Sequence, residues 1–244
     1  MPPRILIIAG SDSGGGAGIQ ADIKTITMLG GFAMTAITAI TAQNTLGVQA
    51  VHLVPTDIVV AQIDSVVSDL GSDAVKIGMI GSADTANAVA DRLAALDVPI
   101  VFDPVMVATS GSVLADADTI AAFGRLGALA SVITPNLPEL AALGGEGVLA
   151  RTAPVLVKGG HGEGDRLVDR LLGAEGEIAR WEDARIDTRH THGTGCTLAS
   201  AIAVALAEGM TLVDAVARAP LRPGSAPRRA GFWIGARADG ASRC

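Results

Sequence analysis

The sequence predicts a single α/β domain in which helices cover both faces of a mostly parallel β-sheet. Short apolar runs that suit buried strands alternate along the chain with longer segments of helical periodicity. That order is typical of parallel strands joined by crossover helices. The chain of 244 residues is long enough for one large domain, and no Pro-, Gly- or Ser-rich linker divides its first 219 residues.

The first half of the chain begins with an apolar run at residues 4–9, which predicts a buried strand. A glycine-rich loop follows, and the helical pattern of residues 17–29 ends at Gly30 and Gly31. Thr56 is a candidate N-cap for the next helix. The further predictions here are strands at 34–41, 74–77 and 100–102, and helices at 56–70 and 83–96.

The second half continues the alternation and adds an antiparallel pair. Residues 166–172 and 177–185 flank a Gly-Ala-Glu-Gly turn, which predicts a hairpin at the edge of the sheet. The other predicted elements are helices at 116–126, 195–208 and 211–218, a short helix from residue 137, and strands at 132–134 and 155–158.

Composition excludes several classes of protein. The 18 basic residues are outnumbered by 25 acidic ones, giving a net charge of −7, so no nucleic-acid footprint is expected. No apolar run approaches the roughly 18 residues of a membrane span. The apolar stretch within the first ten residues is too short for a signal peptide. Cys196 and Cys244 form no disulfide framework. We therefore expect a soluble cytoplasmic protein that binds neither nucleic acid nor a membrane.

Residues 220–244 differ from the rest of the chain. They hold five arginines and one aspartate, so their net charge is +4 and that of residues 1–219 is −11. Prolines at 220, 223 and 227 forbid a continuous helix, and we predict an atypical, disordered tail after a domain that spans 1–219.

A candidate phosphate site lies at His192-Gly193-Thr194-Gly195-Cys196, directly before an apolar helix. Adjacent glycines allow backbone N–H groups to converge, and a helix start adds positive dipole. At that position the pKa of the Cys196 thiol should fall. An inert, buried cysteine is the alternative. His190 and His192 are interpreted as scaffolding or lid residues beside this loop.

A candidate substrate loop, residues 10–18, lies at the carboxyl end of the first strand, where open α/β sheets bind ligands. It is neither a Walker A loop nor a convincing dinucleotide fingerprint. Asp22 and Gln43 could together pair with the donors and acceptors of a flat heterocycle, although an aspartate like Asp22, taken singly, is more often a solvated helix residue.

Polar residues also follow three later strands. Asp103 and Glu139 offer the oxygen ligands that Mg²⁺ prefers, although Glu139 could instead complement a helix dipole. Asn136 stands at the start of the short helix. Lys158 is one of three lysines and could meet a phosphate or face solvent.

Together these segments resemble the hydroxymethylpyrimidine/phosphomethylpyrimidine kinases of thiamine biosynthesis, within the ribokinase-like superfamily. The likeness covers about residues 4–218. It rests on ordered motifs at residues 9–22, Ala42-Gln43-Asn44-Thr45, Lys76-Ile77-Gly78-Met79, Asp103-Pro104-Val105-Met106, Thr134-Pro135-Asn136, residues 157–161 and Gly193-Thr194-Gly195-Cys196.

The resemblance implies a three-layer α/β/α fold, a homodimer, and two ATP-dependent steps with Mg²⁺: phosphorylation of 4-amino-5-hydroxymethyl-2-methylpyrimidine, then of its monophosphate. Cys196 would stand where most related sugar kinases carry an aspartate base. The implied substrate-binding residues are Gly10, Asp22, Gln43, Met79 and Val107. The implied phosphate and nucleotide residues are Gly193, Thr194, Gly195, Lys158 and Asn136, with Asp103 and Glu139 for the metal.

Two departures from the family pattern stand out. Only eighteen residues separate Glu139 from Lys158, so a helix that the family usually has there should be shortened or missing. The helix and Gly-His-Gly-Pro segment with which the family normally ends are absent after Ala219, which suggests a diverged end or a shifted reading frame.

Three other functions remain open at this stage. A pyridoxal kinase also phosphorylates a flat heterocycle that bears a hydroxymethyl group, although Gln43 with Asp22 favours the aminopyrimidine. A hydrolase could use Cys196 as a nucleophile with His192 as its base. A pyrimidine-binding protein without catalytic activity is the third.

Overall fold

A computed structural model describes residues 1–108, 111–159, 166–184 and 192–219. They contain one nine-stranded sheet of order β3-β2-β1-β4-β5-β6-β7-β8-β9. The strands from β2 through β7 in that order run parallel, while β3 and β8 pair antiparallel with their neighbours. The strands are β1 (Arg4–Asp12), β2 (Phe32–Asn44), β3 (Gly47–Leu53), β4 (Ala74–Ile77), β5 (Ile100–Phe102), β6 (Val132–Ile133), β7 (Val155–Val157), β8 (Arg166–Gly173) and β9 (Gly176–Ala184).

Helices cover both faces of the sheet. One apolar cluster packs α2 to α6 against one face, and a second packs α1, α7 and α8 against the other. The fold is therefore the predicted three-layer α/β/α arrangement. The helices are α1 (Gly18–Met28), α2 (Thr56–Asp69), α3 (Ala83–Leu93), α4 (Ala117–Leu129), α5 (Leu137–Ala142), α6 (Glu146–Thr152), α7 (Thr194–Ala207) and α8 (Leu212–Arg218).

Strand β1 shows why the sequence reads as a continuous apolar run. Leu6 and Ile8 belong to one apolar cluster, whereas Ile5 and Ile7 belong to the other, and all four are fully buried. Because successive side chains on a strand point to opposite faces, a strand covered on both sides needs apolar residues at every position.

The centre of the sheet contains a topological switch point. From β1 the chain proceeds to β2 and β3 on one side, then returns to β4 on the other side of β1. In open α/β sheets a crevice forms outside the carboxyl ends of the strands at such a point. The residues that follow β1, β4 and β5 are thereby brought to one place.

Two elements escaped the sequence prediction. Strand β3 has five consecutive exposed residues after Val48, so it shows little of the apolar pattern of a buried strand. Helix α6 lies between Glu139 and Lys158 and was not assigned from its own sequence pattern; of the two outcomes expected there, a shortened or a missing helix, the structure has a short helix of seven residues. The predicted N-cap was wrong by one position: Pro55 is the N-cap of α2, and the Thr56 hydroxyl lies 2.8 Å from that of Thr85.

The predicted edge hairpin is confirmed as β8 and β9, which pair antiparallel. No helix in the described ranges is long and apolar enough to cross a membrane. The tail at 220–244 lies outside the described residues.

Candidate active site

A cleft of about 920 Å³ opens at the switch point, at the carboxyl ends of the central strands. It is lined by every predicted site residue except Asp22. The predicted residues in its lining are Gly10, Gln43, Met79, Asp103, Val107, Asn136, Glu139, Lys158, Gly193, Thr194, Gly195 and Cys196.

The start of α7 supplies the candidate anion site. Gly193 is the N-cap, with a left-handed φ of 79°, and a Cβ built on it would lie only 1.8 Å from the Gly16 carbonyl oxygen. Only glycine fits this close approach. Because its N-cap has no side chain, α7 presents first-turn N–H groups and the positive end of its dipole at the cleft, as the phosphate prediction requires.

Asp12 and His192 tie this helix start to the glycine-rich loop. The buried Asp12 carboxylate accepts hydrogen bonds from the backbone N–H groups of Gly14, Gly16 and Ala17, at 2.8, 3.1 and 2.9 Å. His192 Nε2 lies 2.9 Å from Asp12 Oδ2. His192 thus has the predicted scaffolding position, whereas His190 lies outside the described residues.

Asp22 lies beneath the cleft rather than in its wall, which differs from its predicted contact with the pyrimidine. Its side chain is fully buried, accepts a hydrogen bond of 2.7 Å from Ser200 Oγ, and pairs with Lys76 Nζ at 2.9 Å. Burial is the largest influence on Lys76 and opposes its charge, but the interactions with Asp22, Cys196 and Asp103 together outweigh burial and raise the pKa of the lysine. This placement favours an internal structural role for Asp22 over direct substrate binding.

The prediction of a lowered pKa for Cys196 is wrong. Burial raises the pKa of its thiol to about 11, although the positive charge of Lys76 and a hydrogen bond from the Gly18 backbone oppose the shift. The position of Cys196 in the first turn of α7 should lower its pKa, but the loss of solvent around the thiol outweighs that effect. At neutral pH the resting group is a thiol.

Asp103 and Lys158 meet in front of α7. Lys158 Nζ lies 3.3 Å from Asp103 Oδ1, which also accepts a hydrogen bond of 3.0 Å from Thr134 Oγ1. A Cβ on Gly195 would lie 3.4 Å from the lysine nitrogen, so the absence of a side chain there leaves room for the ammonium group. Lys158 can therefore reach an anion held by the helix start.

Glu139 and Asn136 form a capping box at the start of α5. The Asn136 side chain accepts from the Glu139 backbone, and the Glu139 carboxylate accepts from the Asn136 backbone, each at 2.9 Å. Burial and the negative charge of Asp103 raise the pKa of Glu139 to about 7. The position of Glu139 is thus compatible with both roles considered for it, complementing the helix dipole of α5 and offering an oxygen ligand to Mg²⁺.

The remaining cleft residues offer a polar and apolar wall for a flat ring. Gln43 Oε1 accepts a hydrogen bond of 3.0 Å from Thr41 Oγ1. Gly10 leaves room for Met79, whose Sδ would lie 3.0 Å from a Cβ at that position. Val107 is 44% exposed at the rim of the cleft.

Sequence reasoning gave no role to Lys76, Ser200 or Asp12. A signal was available for Lys76, because a lysine inside the apolar strand Ala74–Ile77 must be buried with a partner. Ser200 stands one helical turn after Cys196 and carries no comparable signal.

Comparison with known proteins agrees with this arrangement. A family model described as phosphomethylpyrimidine kinase matches residues 12–221. The chain belongs to the phosphomethylpyrimidine kinase family. A hydroxymethylpyrimidine/phosphomethylpyrimidine kinase of Rhizobium meliloti is 50% identical over 230 residues, covering 88% of this chain and 86% of the relative.

Solved structures show the same fold. A phosphomethylpyrimidine kinase from Clostridium difficile has a TM-score of 0.74 and 36% identity, covering 89% of this chain and 95% of its own. The ADP complex of Bacillus subtilis pyridoxal kinase has a TM-score of 0.80 and 33% identity, covering 89% and 88%. The predicted ribokinase-like fold and kinase function of this family member are confirmed.

Proposed function

We propose that this kinase transfers the γ-phosphoryl group of ATP to 4-amino-5-hydroxymethyl-2-methylpyrimidine and then to its monophosphate. The observation that carries the proposal is the meeting, in one cleft, of a helix start suited to phosphate with Gln43, a hydrogen-bonding residue suited to a heterocycle. The names of the family and of the Rhizobium relative support the same pair of substrates.

In the first step the hydroxymethyl oxygen attacks the γ-phosphorus, and the bond to the β–γ bridging oxygen breaks with its electron pair leaving on ADP. Cys196 first loses its thiol proton to solvent, and the hydroxyl proton then passes to the Sγ thiolate. The backbone N–H groups of Gly193, Thr194 and Gly195 at the start of α7 and the ammonium of Lys158 stabilise the charge on the transferring group.

Gln43 would hydrogen-bond the aminopyrimidine through its side-chain amide, while Met79 and Val107 pack beside the ring and Gly10 permits its close approach. Asn136 would lie beside the nucleotide phosphates. ATP use is supported by the ADP complex of the Bacillus neighbour.

Asp103 and Glu139 are the residues that would hold Mg²⁺. Their fit rests on chemistry visible in the cleft: two buried carboxylates near enough that one raises the pKa of the other. Within the described ranges no cluster of three potential ligands occurs. A pair suits an ion that keeps part of its water shell and binds substrate phosphates, and Mg²⁺ would supply charge neutralisation there.

A coupled assay of ADP release tests the proposal, with the pyrimidine alcohol, its monophosphate and pyridoxal as separate substrates. We expect turnover with both pyrimidines and a lower kcat/KM with pyridoxal. A higher kcat/KM with pyridoxal would instead assign the chain to pyridoxal phosphorylation, which the Bacillus neighbour performs. Absence of pyrimidine-dependent ADP release, with pyrimidine still bound, would indicate a binding protein.

The homodimer is proposed to form through the β2–β3 edge. Ile40, Leu46, Val51 and Leu53 are 43–89% exposed there, and β3 is an end strand of the sheet. An apolar, unpaired sheet edge favours association with a second copy.

A further inference from the structure

The ion pair of Lys76 and Asp22 under the cleft is unusual because charged side chains are rarely buried completely. The side chains of Lys76 and Asp22 are both fully buried. Burying two charges removes them from water at a cost that their attraction does not always offset, so such a pair is weak evidence for a stabilising role. The position of the pair relative to the reacting groups therefore bears on whether it has a functional role.

Helix α7 places this pair directly below Cys196. Ser200 follows Cys196 by four residues on the helix, so the two side chains lie on one face, a turn apart. Ser200 Oγ binds one oxygen of Asp22, and Lys76 binds the other. Cys196 and Lys76 also both line the cleft.

The strand that carries Lys76 is shaped around its ammonium group. A Cβ on Gly78, two residues further on, would lie 2.8 Å from Lys76 Nζ. In the described part of the chain, Asp22 is the single hydrogen-bond acceptor of that ammonium group, which has three N–H donors. Its remaining donors are therefore available to a group at the floor of the cleft.

We propose that Lys76 is a positioning residue for Cys196: held by Asp22 and Ser200, its ammonium group stabilises negative charge on Cys196 Sγ as the thiol takes up its catalytic form. This inference rests on the proposed function. The charged groups that act on the thiol are Lys76 from β4, Asp22 from α1 and Asp103 after β5, and the backbone N–H of Gly18 donates to the sulfur.

Either change to the pair should make the thiolate less favourable. Lys76→Met removes the positive charge outright. Asp22→Asn keeps a hydrogen-bonding partner for Ser200 but leaves the buried ammonium without its counter-charge, so Lys76 gives up its proton more readily. Loosened packing would have the opposite effect, because it would expose the sulfur and speed its reaction.

The experiment is the rate of alkylation of Cys196 by iodoacetamide at pH 8 in the full chain, with Cys244→Ser as background. Because the thiolate is the reacting form and one pKa unit changes its fraction tenfold, we expect about a tenfold slower rate in Lys76→Met and a slower rate in Asp22→Asn as well. Arg92→Met, which removes a surface charge paired with Asp64, serves as the matched control and should leave the rate unchanged.

Circular dichroism establishes that each variant is folded, and if Lys76→Met does not fold, the rate of Asp22→Asn decides. A rate in the folded variants that equals or exceeds that of the background chain overturns the inference. Since alkylation requires no turnover, it remains measurable if Cys196 proves dispensable for phosphoryl transfer. That result would refute the proposed catalytic role of Cys196 separately.

Discussion

Two opposing influences act on the charge state of the Cys196 thiol. Burial raises the pKa of its thiol to about 11, whereas Lys76 and the Gly18 N–H favour the anion. A protonated resting thiol resists oxidation and alkylation, because the thiolate is the reactive form. We therefore expect the thiolate to form when substrate binding rearranges the charges and water of the cleft.

Replacing Cys196 by alanine should lower kcat about 100-fold or more, which is the usual contribution of a positioned base, while pyrimidine affinity is retained. Turnover in the coupled assay and pyrimidine binding by calorimetry measure the two effects. Cys244→Ser is the control and should match the unaltered chain. Unchanged turnover in Cys196→Ala would remove the thiol from the proton transfer.

At the scale of elements, the start of α7 is joined to the loop after β1. Gly193 packs against the Gly16 carbonyl, and His192 contacts the Asp12 carboxylate that also organises the loop. The candidate phosphate and pyrimidine sites are thereby built on one connected backbone frame. Movement of either segment changes the distance between the two reacting groups.

Gly193→Ala should lower the free energy of unfolding by more than the roughly 1–2 kcal/mol that a left-handed residue with a side chain costs, because the new methyl overlaps Gly16. Gly124→Ala, on the exposed side of α4 with open space around its Cβ position, should raise the stability by about 0.5–1 kcal/mol. Urea unfolding of both variants measures the contrast. Equal stabilities would contradict the close approach at Gly193.

At the scale of the whole molecule, the sheet has two different ends. The β3 end carries exposed apolar side chains on both faces of the sheet, with Ile40 on one face and Val51 and Leu53 on the other. The exposed part of the β9 end instead includes Ile178 among charged residues that pair with one another, such as Arg180 and Glu177. Charged side chains on an edge strand oppose sheet-to-sheet pairing. The proposed homodimer is therefore assigned to the β3 end.

Val51→Lys should convert the dimer to a monomer in sedimentation-equilibrium measurements, because it places a charge inside the proposed interface. Ile178→Lys, a matched substitution at the opposite end, should leave the dimer intact. Dissociation in Ile178→Lys alone would move the interface to the β9 end.

Most of the architecture could be predicted because most residues of the buried strands are apolar and the glycine-rich ends of several strands mark the cleft. The pKa of Cys196 could not be predicted, since the burial of its thiol depends on how α1 and β4 pack around it. Strand β3 was missed because its exposed positions lack an apolar pattern. Asp22 was misplaced because a helical aspartate shows no sign of the lysine, 54 positions away, that pairs with it.

The contact between Asp12 and His192 joins residues 180 positions apart, and that between Asp22 and Ser200 joins residues 178 apart. Contacts of such long sequence separation form only after a large loss of chain entropy, and they slow folding. A chain emerging from the ribosome has its first strand and glycine-rich loop long before α7 exists. The proposed catalytic cleft is consequently assembled only after α7 has been made, and a chain that still lacks α7 should not consume ATP through it.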